Sequence, residues 1–130
     1  MIVVWTNGCF DILHRGHFEM LKYAKSLGDY LIVGIDSDAK VQKDKGSNRP
    51  FNSAEDRQFA LESICYVDKV VVFNTRKELE NLIKEAFPSY MVIGSDWRGK
   101  KVIGEQHCTE LKFFDRIDGY STTRIVEDIK

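Results

Sequence analysis

Two histidines near the N-terminus stand at a spacing that suits phosphate chemistry. His14 and His17 are three residues apart with Gly16 between them, and they lie where an apolar run gives way to an amphipathic one. A strand followed by a helix places backbone N–H groups and the positive end of the helix dipole at this junction. Gly16 lets a phosphate approach the backbone, and imidazoles can bind the charge that develops on transferring oxygens. The stretch therefore predicts a site for phosphoryl chemistry without a covalent intermediate.

The elements that must position these residues follow from the hydrophobic pattern. Short apolar runs predict buried strands at residues 2–5, 30–35, 69–73, 90–93 and 111–114. Amphipathic runs after most of them predict helices, and either Asn52 or Ser53 can cap the one that precedes the third strand. The pattern predicts a single domain over residues 1–130 with an α/β fold, a Rossmann-like doubly wound sheet of about five parallel strands flanked by helices.

Four polar stretches follow predicted strands. They cover residues 6–17, 36–49, 94–101 and 115–123. Residues 36–49 carry no apolar period, so we expect a surface loop there. Ligands of doubly wound sheets bind beyond the carboxyl ends of the strands, so the four stretches should converge on one site.

Composition excludes several classes of partner. Nineteen Lys and Arg nearly balance twenty Asp and Glu, so we expect neither a nucleic-acid partner nor a membrane surface. No apolar run approaches the roughly 20 residues of a membrane span, and the first residues carry no basic leader pattern, which favours a cytoplasmic location. Three widely spaced cysteines predict no disulfide framework, and the histidines lack the spacing of a zinc site, so we expect no protein-built metal centre.

Residues 8–17 resemble the Gly-x-Phe-Asp-x-x-His-x-Gly-His signature of the cytidylyltransferase-like nucleotidyltransferases. Arg116, Gly119 and the run 121–123 are similar to the Arg-x-x-Gly-x-Ser-Thr-Thr motif of the same family. The two motifs lie at opposite ends of the chain with matching strand–helix alternation between them, so the resemblance covers essentially the whole sequence.

The resemblance implies transfer of a nucleoside monophosphate from a nucleoside triphosphate to a phosphate monoester, with His14 and His17 stabilising the in-line transition state. It assigns catalytic cations to Lys43 and Lys45 and acceptor contacts to Asp11 and Arg57. The nucleotide would be bound by Thr6, Gly8, Cys9, Phe10, Gly16, Asp96, Trp97, Arg116, Gly119, Ser121, Thr122 and Thr123. Mg2+ would shield the triphosphate, and a homodimer is expected. From the residues alone, the lysines could instead belong to a solvated loop and Arg57 to a surface ion pair.

Two branches of the family compete for the substrate. Residues 96–100 resemble the Asp-Trp-x-Gly-Lys segment of glycerol-3-phosphate cytidylyltransferases, whereas residues 6–11 and 45–50 resemble adenylyltransferases that activate heptose 1-phosphate. The archaeal-type FAD synthetases are more distant. We expect a CTP:glycerol-3-phosphate cytidylyltransferase that forms CDP-glycerol, with an ATP:heptose-1-phosphate adenylyltransferase forming ADP-heptose as the alternative. A nucleotide-binding regulator without turnover is a third hypothesis, which intact histidines and a Ser-Thr-Thr run disfavour.

Overall fold

The computed structural model describes residues 1–115 and Ile125. Strands and helices alternate along the chain, with short 3-10 turns at Ser95–Trp97 and Glu105–His107. The strands are β1 Val3–Gly8, β2 Tyr30–Asp36, β3 Lys69–Phe73, β4 Tyr90–Gly94 and β5 Glu110–Phe114. The helices are α1 Arg15–Ser26, α2 Asp38–Lys45, α3 Ala54–Glu62 and α4 Arg76–Ala86. None of the helices in the described residues is both long and apolar enough to cross a membrane.

All five strands are parallel and lie in the order β3-β2-β1-β4-β5. The prediction of a Rossmann-like sheet of five parallel strands flanked by helices is confirmed. The chain moves outward from β1 through β2 to β3, then returns to the other side of β1 for β4 and β5. This reversal between β1 and β4 is the topological switch point at which α/β sheets bind ligands.

The two strands at the switch point separate early. The β1–β2 ladder runs to the pair Gly8 and Ile35, but the β1–β4 ladder ends at Trp5 and Met91. Beyond that pair, the Thr6 hydroxyl donates to the carbonyl of Val92 at 2.8 Å, so a side chain replaces the ladder. A crevice can therefore form between the carboxyl ends of β1 and β4.

Each face of the sheet has its own core. The face that packs on α1 and α3 holds Val4, Leu21, Leu31, Leu61 and Val92, among others. The opposite face packs on α4, and its core includes Trp5, Ile32, Leu79, Ile83 and Met91. Val4 and Trp5 are adjacent on β1 and enter different cores, as the two-residue period of a strand requires.

The expected loop at residues 36–49 is wrong in part, because α2 occupies much of it. The Ser37 side chain caps this helix by accepting from the backbone N–H of Lys40 at 3.1 Å. Val41 is the one buried residue of α2, and a single apolar anchor produces no helical period in the sequence. At α3 the structure selects Ser53 as the cap, since its hydroxyl accepts from the N–H of Asp56.

Candidate active site

The two histidines cap the start of α1. His14 is in extended conformation just before the helix, and its Nδ1 accepts from the N–H of Gly16 at 3.1 Å. His17 reaches back, so that its Nδ1 accepts from the N–H of His14 at 3.2 Å. Both side chains thus satisfy helix N-terminal donors, in the reciprocal pattern of a capping box. The backbone N–H of Gly16 is used in this cap.

This cap fixes which ring nitrogen carries the proton. Because each Nδ1 accepts a hydrogen bond, a neutral ring must carry its proton on Nε2. The rings stack with centroids 3.9 Å apart. Burial, His14 and Lys45 lower the pKa of His17 to about 4, so His17 is neutral near pH 7. At neutral pH the His17 ring therefore offers an N–H donor on the side opposite the cap.

Phe10 supports the histidines from within the core. It is 5% exposed, and its ring centroid lies 5.2 Å from that of His17. Its φ of 52° is unusual for a bulky residue, and this turn directs the ring beneath Gly8, where an added Cβ would come within 3.3 Å of it. The expectation that Phe10 contacts the nucleotide does not agree with this burial. Phe10 packs under the site instead.

Asp11 is also inside the protein. It is 4% exposed, and its carboxylate accepts from the N–H groups of Phe51 and Asn52 at 2.8 Å each and from Nε of Arg49 at 3.3 Å. The Asn52 amide donates to the Asp11 carbonyl in return. Asp11 therefore attaches the segment before α3 to the histidine loop, and its contact with the acceptor stays a prediction.

Arg57 has a similar structural position and is 1% exposed. Its Nη1 donates to the carbonyls of Cys9 and Asp36 at 2.9 Å each. Its Nε donates to the Asn52 carbonyl and its Nη2 to Asp38 Oδ1. A surface ion pair does not describe this residue, since four of its five N–H donors bind these four groups inside the protein, and the acceptor contact stays a prediction. We call Asp11 and Arg57 together the buried anchor.

A cleft of about 830 Å³ opens at the carboxyl ends of β1 to β4. Its floor is formed by the end of β1, with Thr6, Asn7 and Gly8. Asp36, Phe73 and Gly94 mark the ends of β2, β3 and β4 along it, and Trp97 borders it beyond β4. Three of the four predicted stretches, those at 6–17, 36–49 and 94–101, therefore contribute to one cleft. The first contributes residues 6–8, while His14 and His17 are not among the residues that line it.

Several cations border the cleft, namely Lys40, Lys45, Arg76 and Lys101. Lys40 Nζ is 2.7 Å from Asp44 Oδ2 and 3.8 Å from Asp36 Oδ1, so its charge is already paired. Lys45 forms no ion pair with any residue in the described ranges, and after burial and His14 its charge is the next cause that lowers the pKa of His17. Lys43 is exposed and does not border the cleft. Of the two predicted catalytic lysines, the structure thus places Lys45 at the site.

The other predicted nucleotide contacts divide into three groups. Thr6 is buried and uses its hydroxyl within the sheet, and Cys9 is half-buried with a pKa that burial raises, so its thiol stays protonated. Trp97 is 50% exposed, and it follows Asp96 in the turn after β4. Five predicted residues lie outside the described part of the chain: Arg116, Gly119, Ser121, Thr122 and Thr123.

Sequence reasoning missed other residues that border the cleft, including Asn7, Lys40, Arg76 and Lys101. Asn7 lies inside the conspicuous stretch at residues 6–17, and Arg76 comes soon after the end of β3. Both Asn7 and Arg76 could have been found from the sequence, because ligands of α/β sheets bind beyond the carboxyl ends of the strands.

Comparison with known proteins agrees with the fold and the motifs. A family model described as cytidylyltransferase-like matches residues 5–128. The chain belongs to the cytidylyltransferase-like family of nucleotidyltransferases. The match covers both motif regions, including the second motif, which lies wholly beyond residue 115.

Among its relatives are proteins called Bifunctional protein HldE. Those of Campylobacter fetus and Sulfurimonas denitrificans are 48% and 51% identical over 128 residues, which is 98% of this chain. The alignments cover 28% and 27% of those relatives, so the chain spans less than a third of their length. A similar solved structure, the lipopolysaccharide core biosynthesis protein from Thermoplasma volcanium, has a TM-score of 0.74 at 25% identity. The match covers 91% of this chain and 99% of that one.

Proposed function

We propose that this member of the cytidylyltransferase-like family transfers the adenylyl group of ATP to the phosphate of heptose 1-phosphate, forming ADP-heptose and pyrophosphate. The observation that carries the chemistry is the capped, stacked histidine pair at the edge of the sheet. The choice of substrate rests on the HldE relatives and on the resemblance of residues 6–11 and 45–50. It replaces the expectation of glycerol 3-phosphate and CTP.

In this proposal, a phosphate oxygen of the acceptor attacks the α-phosphorus of ATP in line with the departing pyrophosphate. A bond forms from the acceptor oxygen to the α-phosphorus, and the bond from the α-phosphorus to the bridging oxygen breaks. The acceptor phosphate is mainly dianionic near pH 7, so no general base is required. His14 and His17 donate from Nε2 to the α-phosphate oxygens as charge builds up on them.

The neutral state of His17 suits this role. A neutral ring with its proton on Nε2 is a fixed donor, and its Nδ1 remains bound to the helix cap throughout the reaction. Neither ring has to gain or lose a proton during the transfer. Lys45 would offset the repulsion between two phosphate groups, since its ammonium borders the cleft without a counterion from the described residues.

Mg2+ is part of the proposal as a companion of the nucleotide. Within residues 1–115, no group of three His, Cys, Asp or Glu side chains could hold a metal ion. Asp36 and Asp44 border the cleft, but both are within ion-pair distance of Lys40. We therefore propose that the triphosphate itself carries the ion, which shields phosphate charge.

Pyrophosphate release tests the proposal. The purified chain is assayed with four substrate pairs, which combine ATP or CTP with heptose 1-phosphate or glycerol 3-phosphate. We expect release with ATP and heptose 1-phosphate at a kcat/KM at least about tenfold above the other pairs. The highest rate with CTP and glycerol 3-phosphate would overturn the substrate assignment. No release from any pair, together with a rise in melting temperature on adding ATP, would favour the regulator.

A further inference from the structure

Asn7 is a polar residue on the cleft floor that the proposed mechanism leaves unused. It is the second-last residue of β1, is half-buried and borders the cleft. Trp5 precedes it by two residues, so both side chains lie on the same face of the sheet. That face is the one that packs on α4.

Trp5 fixes the orientation of the Asn7 amide. The indole Nε1 donates to Asn7 Oδ1 at 2.9 Å, and Trp5 is only 1% exposed. An indole N–H is a donor only, and leaving it buried without an acceptor would cost about 1–3 kcal/mol. The amide oxygen must therefore stay turned toward Trp5, with the NH2 group on the other side.

Gly34 makes this arrangement possible. It is the β2 partner of Asn7, and an added Cβ there would lie 2.7 Å from Trp5 Cζ2 and 3.3 Å from Asn7 Cβ. The missing side chain leaves the space in which the indole lies beside the amide. Trp5 and Gly34 thus hold Asn7 in one of its two amide orientations.

The amide NH2 group of Asn7 has no acceptor among the described residues. The cleft around it carries more cations than carboxylates, since Asp36 and Asp44 are its two acidic residues and both lie within ion-pair distance of Lys40. Lys40 and Lys45 of α2 and Arg76 of α4 border the same cleft. These cations belong to elements on the β2 and β3 side of β1, whereas Trp97 follows β4 on the other side. Two oriented donors among cations suit an anionic group with several oxygens.

We propose that Asn7 binds the phosphate group of the sugar-phosphate acceptor through Nδ2, and that Trp5 is a positioning residue for it. This inference rests on the proposed function, in which the acceptor is a phosphate monoester. The nucleotide base then lies toward Trp97, the histidines hold the α-phosphate, and the acceptor enters from the side of β2 and α2. Asn7 therefore contacts the acceptor and not the nucleotide, because it lies on the side of β2 and α2.

The variant Asn7→Asp separates two roles of Asn7, namely binding of the acceptor phosphate and acceptance of the hydrogen bond from the Trp5 indole. Its carboxylate can still accept from the Trp5 indole, but it has no donors and repels a phosphate. We expect the KM for heptose 1-phosphate to rise about 20-fold or more, with the KM for ATP within about twofold of wild type and an unchanged melting temperature. If Asn7 only satisfied Trp5, the variant would keep the wild-type acceptor KM, and that result would overturn the proposal.

Two further variants sharpen the test. Asn81→Asp adds the same charge on an exposed position of α4 that does not border the cleft, so its acceptor KM should match wild type. Trp5→Phe removes the indole N–H and lets the amide turn, so we expect a smaller rise in acceptor KM, about threefold, with the KM for ATP unchanged. A rise in the KM for ATP instead would place Asn7 at the nucleotide and contradict the assignment.

Failure of the proposed function can be told apart from failure of the role proposed for Asn7. If the wild-type chain releases no pyrophosphate from ATP and heptose 1-phosphate, that reaction is wrong, and calorimetric titration with inorganic phosphate then decides the role of Asn7. We expect wild type to bind phosphate and Asn7→Asp to bind it at least about tenfold more weakly. Equal affinity in the two proteins, or no binding by wild type, would overturn the role of Asn7.

Discussion

His14, His17 and Asp11 come from one signature and Arg57 comes from α3, yet the histidine pair and the buried anchor use their polar atoms in opposite ways. His14 and His17 each turn Nδ1 toward the helix cap, and under the proposed function Nε2 of each ring donates to the substrate. Asp11 accepts hydrogen bonds from backbone N–H groups and from Arg49. Arg57 donates hydrogen bonds to backbone carbonyls and to Asp38. Under the proposed function the first pair acts on the substrate, whereas the second holds together the segments around it.

The hydrogen bonds of the buried anchor give its charged side chains a structural role next to the histidines. The Arg57 guanidinium joins the histidine loop at Cys9 to the end of β2 at Asp36 and to the start of α2 at Asp38. Because α2 carries Lys45, the buried anchor sets the place of that cation relative to His17. Substitutions in the buried anchor should therefore lower stability, whereas substitutions in the histidine pair should lower turnover.

Arg57→Ala should give the largest effect on stability. It leaves the carbonyls of Cys9, Asp36 and Asn52 without their donor, so we expect a loss of about 4 kcal/mol in the free energy of unfolding. Urea denaturation measures it. Arg15→Ala is the control, because Arg15 forms an exposed pair with Glu19 and should cost less than about 0.5 kcal/mol. Equal losses in the two variants would show that Arg57 is not an anchor.

His17→Asn should separate turnover from folding. The Asn oxygen can replace Nδ1 as the acceptor of the cap, but no donor replaces Nε2. We expect kcat to fall by about 100- to 1,000-fold, or about 3–4 kcal/mol of transition-state stabilisation, with a melting temperature close to wild type. Pyrophosphate release and thermal unfolding check both parts. A variant that is stable and retains most of its turnover would remove His17 from the chemistry.

His17 should also make stability depend on pH in a defined window. Its pKa is about 4 in the folded protein and near 6.5 when unfolded. Between these values the unfolded chain binds a proton that the folded protein does not, so stability falls as pH drops from about 6.5 to 4, by up to about 3 kcal/mol. Urea unfolding across this range should show a shallower slope for His17→Asn. Equal slopes of the unfolding free energy against pH in wild type and His17→Asn would mean that the pKa of His17 is not lowered in the folded protein.

Lys45→Ala should have the smallest effect of the series. Removing an exposed cation beside the phosphates should lower kcat/KM by about five- to tenfold and leave stability unchanged. Lys43→Ala is its matched control on the same helix, since Lys43 does not border the cleft, and its kcat/KM should stay within about twofold of wild type. A larger loss of kcat/KM in Lys43→Ala than in Lys45→Ala would show that Lys43 is the cation at the site.

The sequence predicts the sheet well because each strand is a short, largely apolar run, and such runs need no distant information to recognise. It misses α2 because only Val41 of that helix is buried. The histidine loop is recognisable from its spacing, but the burial of Arg57 is not, since its partners are carbonyls 5 to 48 positions away. The orientation of the Asn7 amide likewise depends on Trp5 and on the space at Gly34.

The central claim is that the capped histidine pair transfers an adenylyl group to a sugar phosphate. Phosphorus NMR of the wild-type chain with ATP, Mg2+ and heptose 1-phosphate tests it directly, with His17→Asn measured in parallel. We predict paired resonances of a sugar nucleotide and an equal amount of pyrophosphate in wild type, and almost none in the variant. Inorganic phosphate as the product, or a sugar nucleotide formed equally fast by the variant, would contradict the account.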